Sequence, residues 1–117
     1  MPEIDELKKR VDELEDKVHR LLQISDPERH PFTYLTVEMD LTKEQVAKLF
    51  DLMDEASKSI LSGKPMHHVE FEKRVYEMVP KYNGDYHFAE SIVRTLNDTG
   101  QYTDVYRHMK KSGMNLR

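Results

Sequence analysis

The sequence predicts an all-α fold in which an N-terminal coiled-coil helix precedes a small head of about five helices. Two observations on composition lead to this prediction. Charged residues make up 34% of the 117-residue chain and hydrophobic residues 38%, with only 4 glycines and 5 prolines, which is typical of a soluble helical domain. In addition, no segment alternates apolar and polar residues over the length of a β-strand.

The third observation is a heptad repeat in residues 1–25, with branched side chains at the a positions and leucine at the d positions. The apolar residues of this repeat are Ile4, Leu7, Val11, Leu14, Val18 and Leu21. A helix that packs on its own domain usually has a wider apolar face, and an isolated helix of this length is only marginally stable in water. We therefore predict that residues 1–25 form an oligomerisation helix, which is buried against other copies of the chain and ends at Ser25-Asp26-Pro27.

Charged residues beside this repeat predict how the copies are oriented. In a parallel assembly Glu3 at g faces Lys8 at the following e of a neighbour, and Arg10 faces Glu15 in the same way, whereas an antiparallel partner loses this match. The segment from Arg10 to Glu15 resembles the R-h-x-x-h-E pattern of short three-stranded coiled coils, although branched a residues with leucine at d favour two strands. We favour a trimer over a dimer, with Arg10 and Glu15 joining the six apolar residues in the interface.

The predicted head, residues 26–117, begins with a short helix that starts at Pro31, because proline suits a first helical turn. Thr42 and Gln45 form a capping box that opens a long helix, and Gly63 followed by Pro65 ends it. The residues of these two helices that we expect to face the core are Phe32, Leu35, Met39, Val46, Leu49, Phe50, Met53, Ala56, Ile60 and Leu61.

Three more predicted helices complete the head. The first spans about Val69 to Val79 and is ended by Pro80. Asp85 caps the next one, and a tight turn at residues 97–100 separates it from the last, so that these two form an αα-hairpin. Their expected core residues are Phe71, Val75, Met78, Val79, Phe88, Ala89, Ile92, Val93, Leu96, Tyr102, Val105, Tyr106 and Met109.

Five short features follow one another in the order found in a known family. They are the heptad helix, Pro31-Phe32-x-x-Leu35, Leu41-Thr42-Lys43-Glu44, Val69-x-Phe71 and Gly100-x-Tyr102. From about Ile4 to Lys111 the chain therefore resembles the YhaI-like proteins of Gram-positive bacteria and their phages, a family of unknown function. The resemblance implies an all-α fold whose N-terminal helices associate into a homo-oligomer, a trimer, and it supplies no catalytic residues. The adjacent His67 and His68 depart from the family.

Potential metal ligands are densest at His67, His68, Glu70 and Glu72. On a helix His68 and Glu72 share a face at a spacing that can hold a metal ion, but a structural site normally needs four ligands. We therefore predict a polar first turn without a metal. The connection at residues 62–68 lacks the acidic ligands of a calcium loop. Because the chain has no cysteine, disulfides, thiolate zinc sites and cysteine nucleophiles are excluded.

Basic residues concentrate near the C-terminus, where Arg107, Lys110, Lys111 and Arg117 are candidates for contact with an anion or a nucleic acid. The net charge of −4 opposes general binding to a phosphate backbone. Cations in the last turn of a helix also stabilise the helix dipole without any ligand. We therefore do not expect nucleic acid to be the principal partner.

Enzyme motifs are absent, since the sequence contains no glycine-rich phosphate loop, no G-x-S-x-G and no H-E-x-x-H. No apolar run is long enough to span a membrane, and the charged N-terminus is not typical of a signal peptide. We expect a cytoplasmic, non-catalytic homo-oligomer without a cofactor, which binds an unidentified protein as an adaptor, inhibitor or regulator. The alternative is a nucleic-acid-associated regulator that uses the basic C-terminal segment.

Overall fold

The computed structural model describes residues 1–116, which form six α-helices and one turn of 3-10 helix. The α-helices are α1 (Pro2–Ile24), α2 (Pro31–Glu38), α3 (Lys43–Leu61), α4 (His68–Met78), α5 (Tyr86–Asp98) and α6 (Thr103–Ser112). The 3-10 turn, Pro80–Tyr82, lies between α4 and α5. Because no strand occurs in this part of the chain, the prediction of an all-α fold is confirmed.

The first helix, α1, extends away from the rest of the molecule. The molecule is 59 Å long but only 30 by 22 Å across. A straight helix of 23 residues accounts for about 34 Å of such a length. No residue of α1 is buried. Its helical structure is supported locally by Pro2 in the first turn and by the acidic residues Glu3 and Asp5 near the positive end of the helix dipole.

Local hydrogen bonds fix where two helices of the head begin. At the start of α3, the backbone N–H of Gln45 donates to Thr42 Oγ1 at 3.1 Å, and the backbone N–H of Thr42 donates to Gln45 Oε1 at 2.9 Å. This reciprocal pair confirms the predicted capping box. At the start of α5, Asp85 Oδ1 accepts a hydrogen bond from the backbone N–H of His87 at 3.1 Å, which confirms the predicted cap.

Four helices, α2, α3, α5 and α6, end in Schellman motifs, in which a residue just beyond the helix donates its backbone N–H to the carbonyl five residues earlier, in the last turn. The residues that adopt a positive φ in these motifs are Asp40, Gly63, Gly100 and Gly113. Asp40 is the one residue of the four with a Cβ, and its carbonyl accepts a hydrogen bond from Lys81 Nζ at 2.9 Å. The helices therefore stop where glycine or a stabilised aspartate allows the chain to turn.

The five helices of the head enclose one hydrophobic core. α3 packs against α4 and α6, α2 packs against α5, and α5 also contacts α4 and α6. Aromatic rings join α2 to α3, because the Phe32 and Phe50 rings meet edge to face with centroids 5.2 Å apart. The large side chains that are fully buried are Leu49, Leu52, Met53, Phe71, Val75, Val79, Phe88, Ile92, Val93, Leu96, Val105 and Met109.

The assignment of one residue to the core is wrong. Leu61 is 83% exposed, although the neighbouring Ile60 is partly buried against the core. Leu61 is the last residue of α3 and lies about 100° around the helix from Ile60, beyond the area that the other helices cover. Leu52, which we did not assign to the core, is buried instead, because it shares a face with Leu49 and Ala56.

Beyond α6 the chain turns back onto the head. Gly113 adopts a φ of 120°, and the following residues Met114 and Leu116 are buried in the core. A Cβ at Gly113 would lie 3.2 Å from Cε1 of His68, so the turn passes close to the first residue of α4. This return was not predicted, because the sequence of these residues indicates only a basic C-terminal segment.

Candidate functional site

The apolar repeat of α1 forms a continuous exposed surface. Its six residues are between 44% and 66% exposed, and they define the α1 stripe: Ile4, Leu7, Val11, Leu14, Val18 and Leu21. Apolar side chains normally lie singly on the surface of a soluble domain, and a contiguous exposed row of them is typical of an interaction surface. The structure therefore places the predicted interface residues together on one face and leaves that face uncovered by the chain's own head.

The charged residues beside the α1 stripe form few contacts within the chain. Arg10 Nη1 lies 3.3 Å from Glu13 Oε2, an exposed i,i+3 ion pair that contributes little to stability. Within residues 1–116, Glu3, Lys8 and Glu15 take part in no ion pair. Three of the four charges that we expect to pair between chains are therefore unpaired in the single chain.

The histidines at the start of α4 have local structural roles. His67 caps the helix, because its Nδ1 accepts a hydrogen bond from the backbone N–H of Val69 at 3.2 Å. The rings of His67 and His68 lie 4.5 Å apart, and Nδ1 of His68 is buried without a hydrogen-bond partner in residues 1–116. In the same part of the chain, no group of three or more His, Cys, Asp or Glu residues is arranged to hold a metal ion.

Two carboxylates from different helices lie in the same region. Burial raises the pKa of Glu72 above its usual value, the electrostatic influence of His68 opposes this rise, and that of Glu90 adds to it. Glu90 on α5 is buried, and its Oε2 lies 3.2 Å from Nδ1 of the exposed His87. The sequence spacing that suggested a metal site therefore corresponds to a contact region between α4 and α5.

The basic residues of α6 border a groove. Arg107, Lys110 and Lys111 are exposed, whereas Arg117 lies outside the described residues. A groove of about 750 Å³ runs between the end of α3 and these cations, with Ile60 and Tyr106 among its lining residues. We name it the α3/α6 groove. Sequence reasoning found its basic residues but missed the groove, because Ile60 and α6 are brought together only by tertiary packing.

Two hydrogen bonds between side chains connect α3 to the N-terminal end of α6, next to the α3/α6 groove. Ser57 Oγ donates to Asp104 Oδ2 at 2.6 Å, and Tyr102 Oη donates to Asp54 Oδ1 at 2.5 Å. Burial, followed by the hydrogen bond to Asp54 and the nearby carboxylates, raises the pKa of Tyr102 to about 12. The tyrosine therefore remains a neutral donor over the ordinary pH range.

Fold and surface together define a class of small all-α protein, in which a helical head carries an amphipathic arm with an exposed apolar face. The model of the family DUF1878, described as proteins of unknown function, matches residues 4–112. The match covers both the arm and the head, and the chain belongs to this family. No solved structure matches the chain. Within residues 1–116, no helix combines the length and the apolar character needed to cross a membrane.

Proposed function

We propose that the protein is a non-catalytic homo-oligomer whose α1 helices form a parallel coiled coil, and that the assembled heads bind another protein in the cytoplasm. The single observation that carries this proposal is the exposed α1 stripe, since no residue of α1 is buried in the chain. The trimer is favoured over the dimer by the segment from Arg10 to Glu15 and by the resemblance to YhaI-like proteins.

The magnitude of burial is consistent with reversible self-association. Full burial of an aliphatic side chain contributes about 1.5–3 kcal/mol, so burying the exposed half of each stripe residue contributes roughly 1 kcal/mol. A pair of chains then gains about 12 kcal/mol, and the loss of translational and rotational freedom costs at least about 4 kcal/mol. The free energy of association is then no more favourable than about −8 kcal/mol, so the dissociation constant is about 1 μM or weaker.

Oligomerisation gives a physical reason for having a separate arm. A weak binding surface on one head becomes effective when several copies are linked, because binding of the first copy raises the local concentration of the others. An adaptor, an inhibitor and a regulator can each use such a surface. A nucleic-acid-associated regulator is the second candidate, and the three exposed cations of α6 favour it. A pull-down with and without nuclease separates the two functions.

Light scattering and sedimentation test the oligomer directly. We expect the unmodified chain to show two or three times the 13.9 kDa monomer mass at tens of micromolar, a concentration set by the roughly micromolar affinity. Leu14→Asp should be monomeric, because assembly would bury a carboxylate without a partner. Leu61→Asp is the matched control, since it places the same charge at an exposed leucine outside the α1 stripe. A monomeric unmodified chain at this concentration contradicts the proposal.

A further inference from the structure

The α3/α6 groove has an apolar floor. Ile60 from α3 and Tyr106 from α6 are both partly buried and packed against the core, so they are held in place by the fold. Lys110 Nζ lies over the Tyr106 ring, 5.8 Å from its centre, so a cation stands above part of this floor. A partner that enters the groove therefore meets apolar surface and positive charge side by side.

The rim of the groove carries more positive than negative charge. Within residues 1–116, Arg107, Lys110 and Lys111 are exposed and take part in no ion pair. The groove also contains one carboxylate, that of Asp104, which accepts a hydrogen bond from the neutral hydroxyl of Ser57 and offsets one of the three cations. The charges that a ligand meets on the outer side of the groove are thus predominantly positive.

From these features we propose that the α3/α6 groove binds an acidic amphipathic segment of a partner protein, with apolar side chains on Ile60 and Tyr106 and carboxylates against Arg107, Lys110 and Lys111. A helix laid in a groove, with apolar anchors on one side and charges on the other, is a common mode of peptide recognition. This inference rests on the proposed function, because it names the surface and the chemistry of the protein partner.

The floor of the groove argues for a protein segment rather than a nucleic acid. Single-stranded nucleic acids are usually bound by aromatic rings that are free to stack on successive bases along a basic channel. The residues that line the groove include two aromatic rings, those of Tyr106 and His108, and His108 Nε2 lies 3.1 Å from the carbonyl oxygen of Met66. They do not form a row of rings along a channel. The floor suits aliphatic side chains, and the rim suits their acidic neighbours.

Fluorescence anisotropy of labelled synthetic peptides tests the proposal with the full chain. The probe has leucines at helical i, i+3, i+4 and i+7 spacing and glutamate elsewhere, and the comparison peptides replace glutamate by glutamine or by lysine. We expect the acidic peptide to bind most tightly. The combined variant Arg107→Glu, Lys110→Glu and Lys111→Glu should weaken this binding by at least about tenfold, because three favourable charge contacts become repulsive.

The matched control is the combined variant Lys43→Glu, Lys48→Glu and Lys73→Glu, which makes the same change in net charge at exposed positions that do not line the groove. It should bind the acidic peptide within about twofold of the unmodified chain, apart from the general effect of net charge. Equal binding of the acidic, neutral and basic peptides overturns the proposal, and so does an undiminished affinity in the first variant. A labelled oligonucleotide of similar charge that binds more tightly, and is lost in the same variant, also overturns it.

The Leu14→Asp variant separates this proposal from self-association. A monomer that retains the groove should bind the acidic peptide in solution with unchanged affinity, but it should dissociate faster than the oligomer from a surface coated with the peptide. If the unmodified chain is a monomer and still binds the acidic peptide, the oligomer is wrong and the groove proposal stands. If it is an oligomer without preference for the acidic peptide, only the groove proposal fails.

Discussion

Charge reversal beside the α1 stripe should reveal both the direction of the proposed coiled coil and the number of its strands. In a parallel coil, Arg10 of one chain faces Glu15 of the next. Arg10→Glu and Glu15→Arg each convert that attraction into repulsion when all chains carry the same change. Lys9→Glu and Asp16→Lys are the matched controls, because these neighbouring residues carry charges of the same sign at heptad positions that face away from the stripe.

The expected magnitude follows from the exposure of the side chains. Arg10 is 62% exposed and already pairs with Glu13 of its own chain, so its pair across the interface contributes only about 0.5 kcal/mol. Reversal changes each contact by roughly 1 kcal/mol, hence about 2 kcal/mol for the two contacts of a dimer and about 3 kcal/mol for the three contacts of a trimer. The association constant should fall by roughly 30-fold in the dimer and by more in the trimer.

Mixing the two single variants distinguishes the assemblies. In a mixed dimer both contacts are attractive again. At one contact the two substituted side chains face each other and carry opposite charges. At the other contact the unchanged Arg10 of one chain faces the unchanged Glu15 of its partner. In a mixed trimer two chains carry the same change, so one contact of the three stays repulsive. Sedimentation of an equal mixture should therefore recover the full affinity of the unmodified protein for a dimer and only part of it for a trimer. If Arg10→Glu and Glu15→Arg assemble as well as the two control variants, the parallel alignment is refuted.

Two further predictions concern the head. Gly113→Ala and Gly63→Ala both place a Cβ at a positive φ, but only the Cβ at position 113 also meets the ring of His68. Gly113→Ala should therefore lower the free energy of unfolding by about 1 kcal/mol more than Gly63→Ala. Chemical denaturation measures the difference, and equal losses contradict the prediction. Tyr102, whose pKa is raised to about 12 from an ordinary value of 10, should make stability fall as pH rises from 10 to 12, since the unfolded chain loses this proton first. Tyr102→Phe should show a smaller fall over that range in denaturation curves, and an identical pH dependence would exclude this role for the phenol.

Much of the fold could be predicted because its signals are local. The capping box at Thr42 and Gln45 lies within four consecutive residues, and the helix it opens follows the apolar spacing of α3. The error at Leu61 arose where that spacing runs past the area covered by other helices. The burial of Met114 and Leu116 depends on where the chain goes after α6, which no local spacing determines.

The two surfaces of the candidate site differ in the same way in how far they could be predicted. The α1 stripe could be predicted because it is a property of one helix, whose apolar residues repeat in steps of three and four. The α3/α6 groove could not, because Ile60 and Arg107 lie far apart in the chain and meet only when α3 packs on α6. The sequence showed only its positive half, and that half alone could not distinguish a nucleic acid from an acidic protein.

The direction of the proposed coiled coil would link the two surfaces. The C-terminal end of α1 leads directly into the head through residues 25–30, so parallel helices place every head, and every α3/α6 groove, at the same end of the assembly. Antiparallel helices would place the heads at opposite ends of an arm about 34 Å long, beyond the reach of a short partner segment. Gain in binding through linked sites requires that one partner engage several copies at once. In the proposed assembly, the opposite charges at Arg10 and Glu15 would therefore matter beyond the roughly 0.5 kcal/mol that each contact contributes, because a parallel alignment would let the grooves act together.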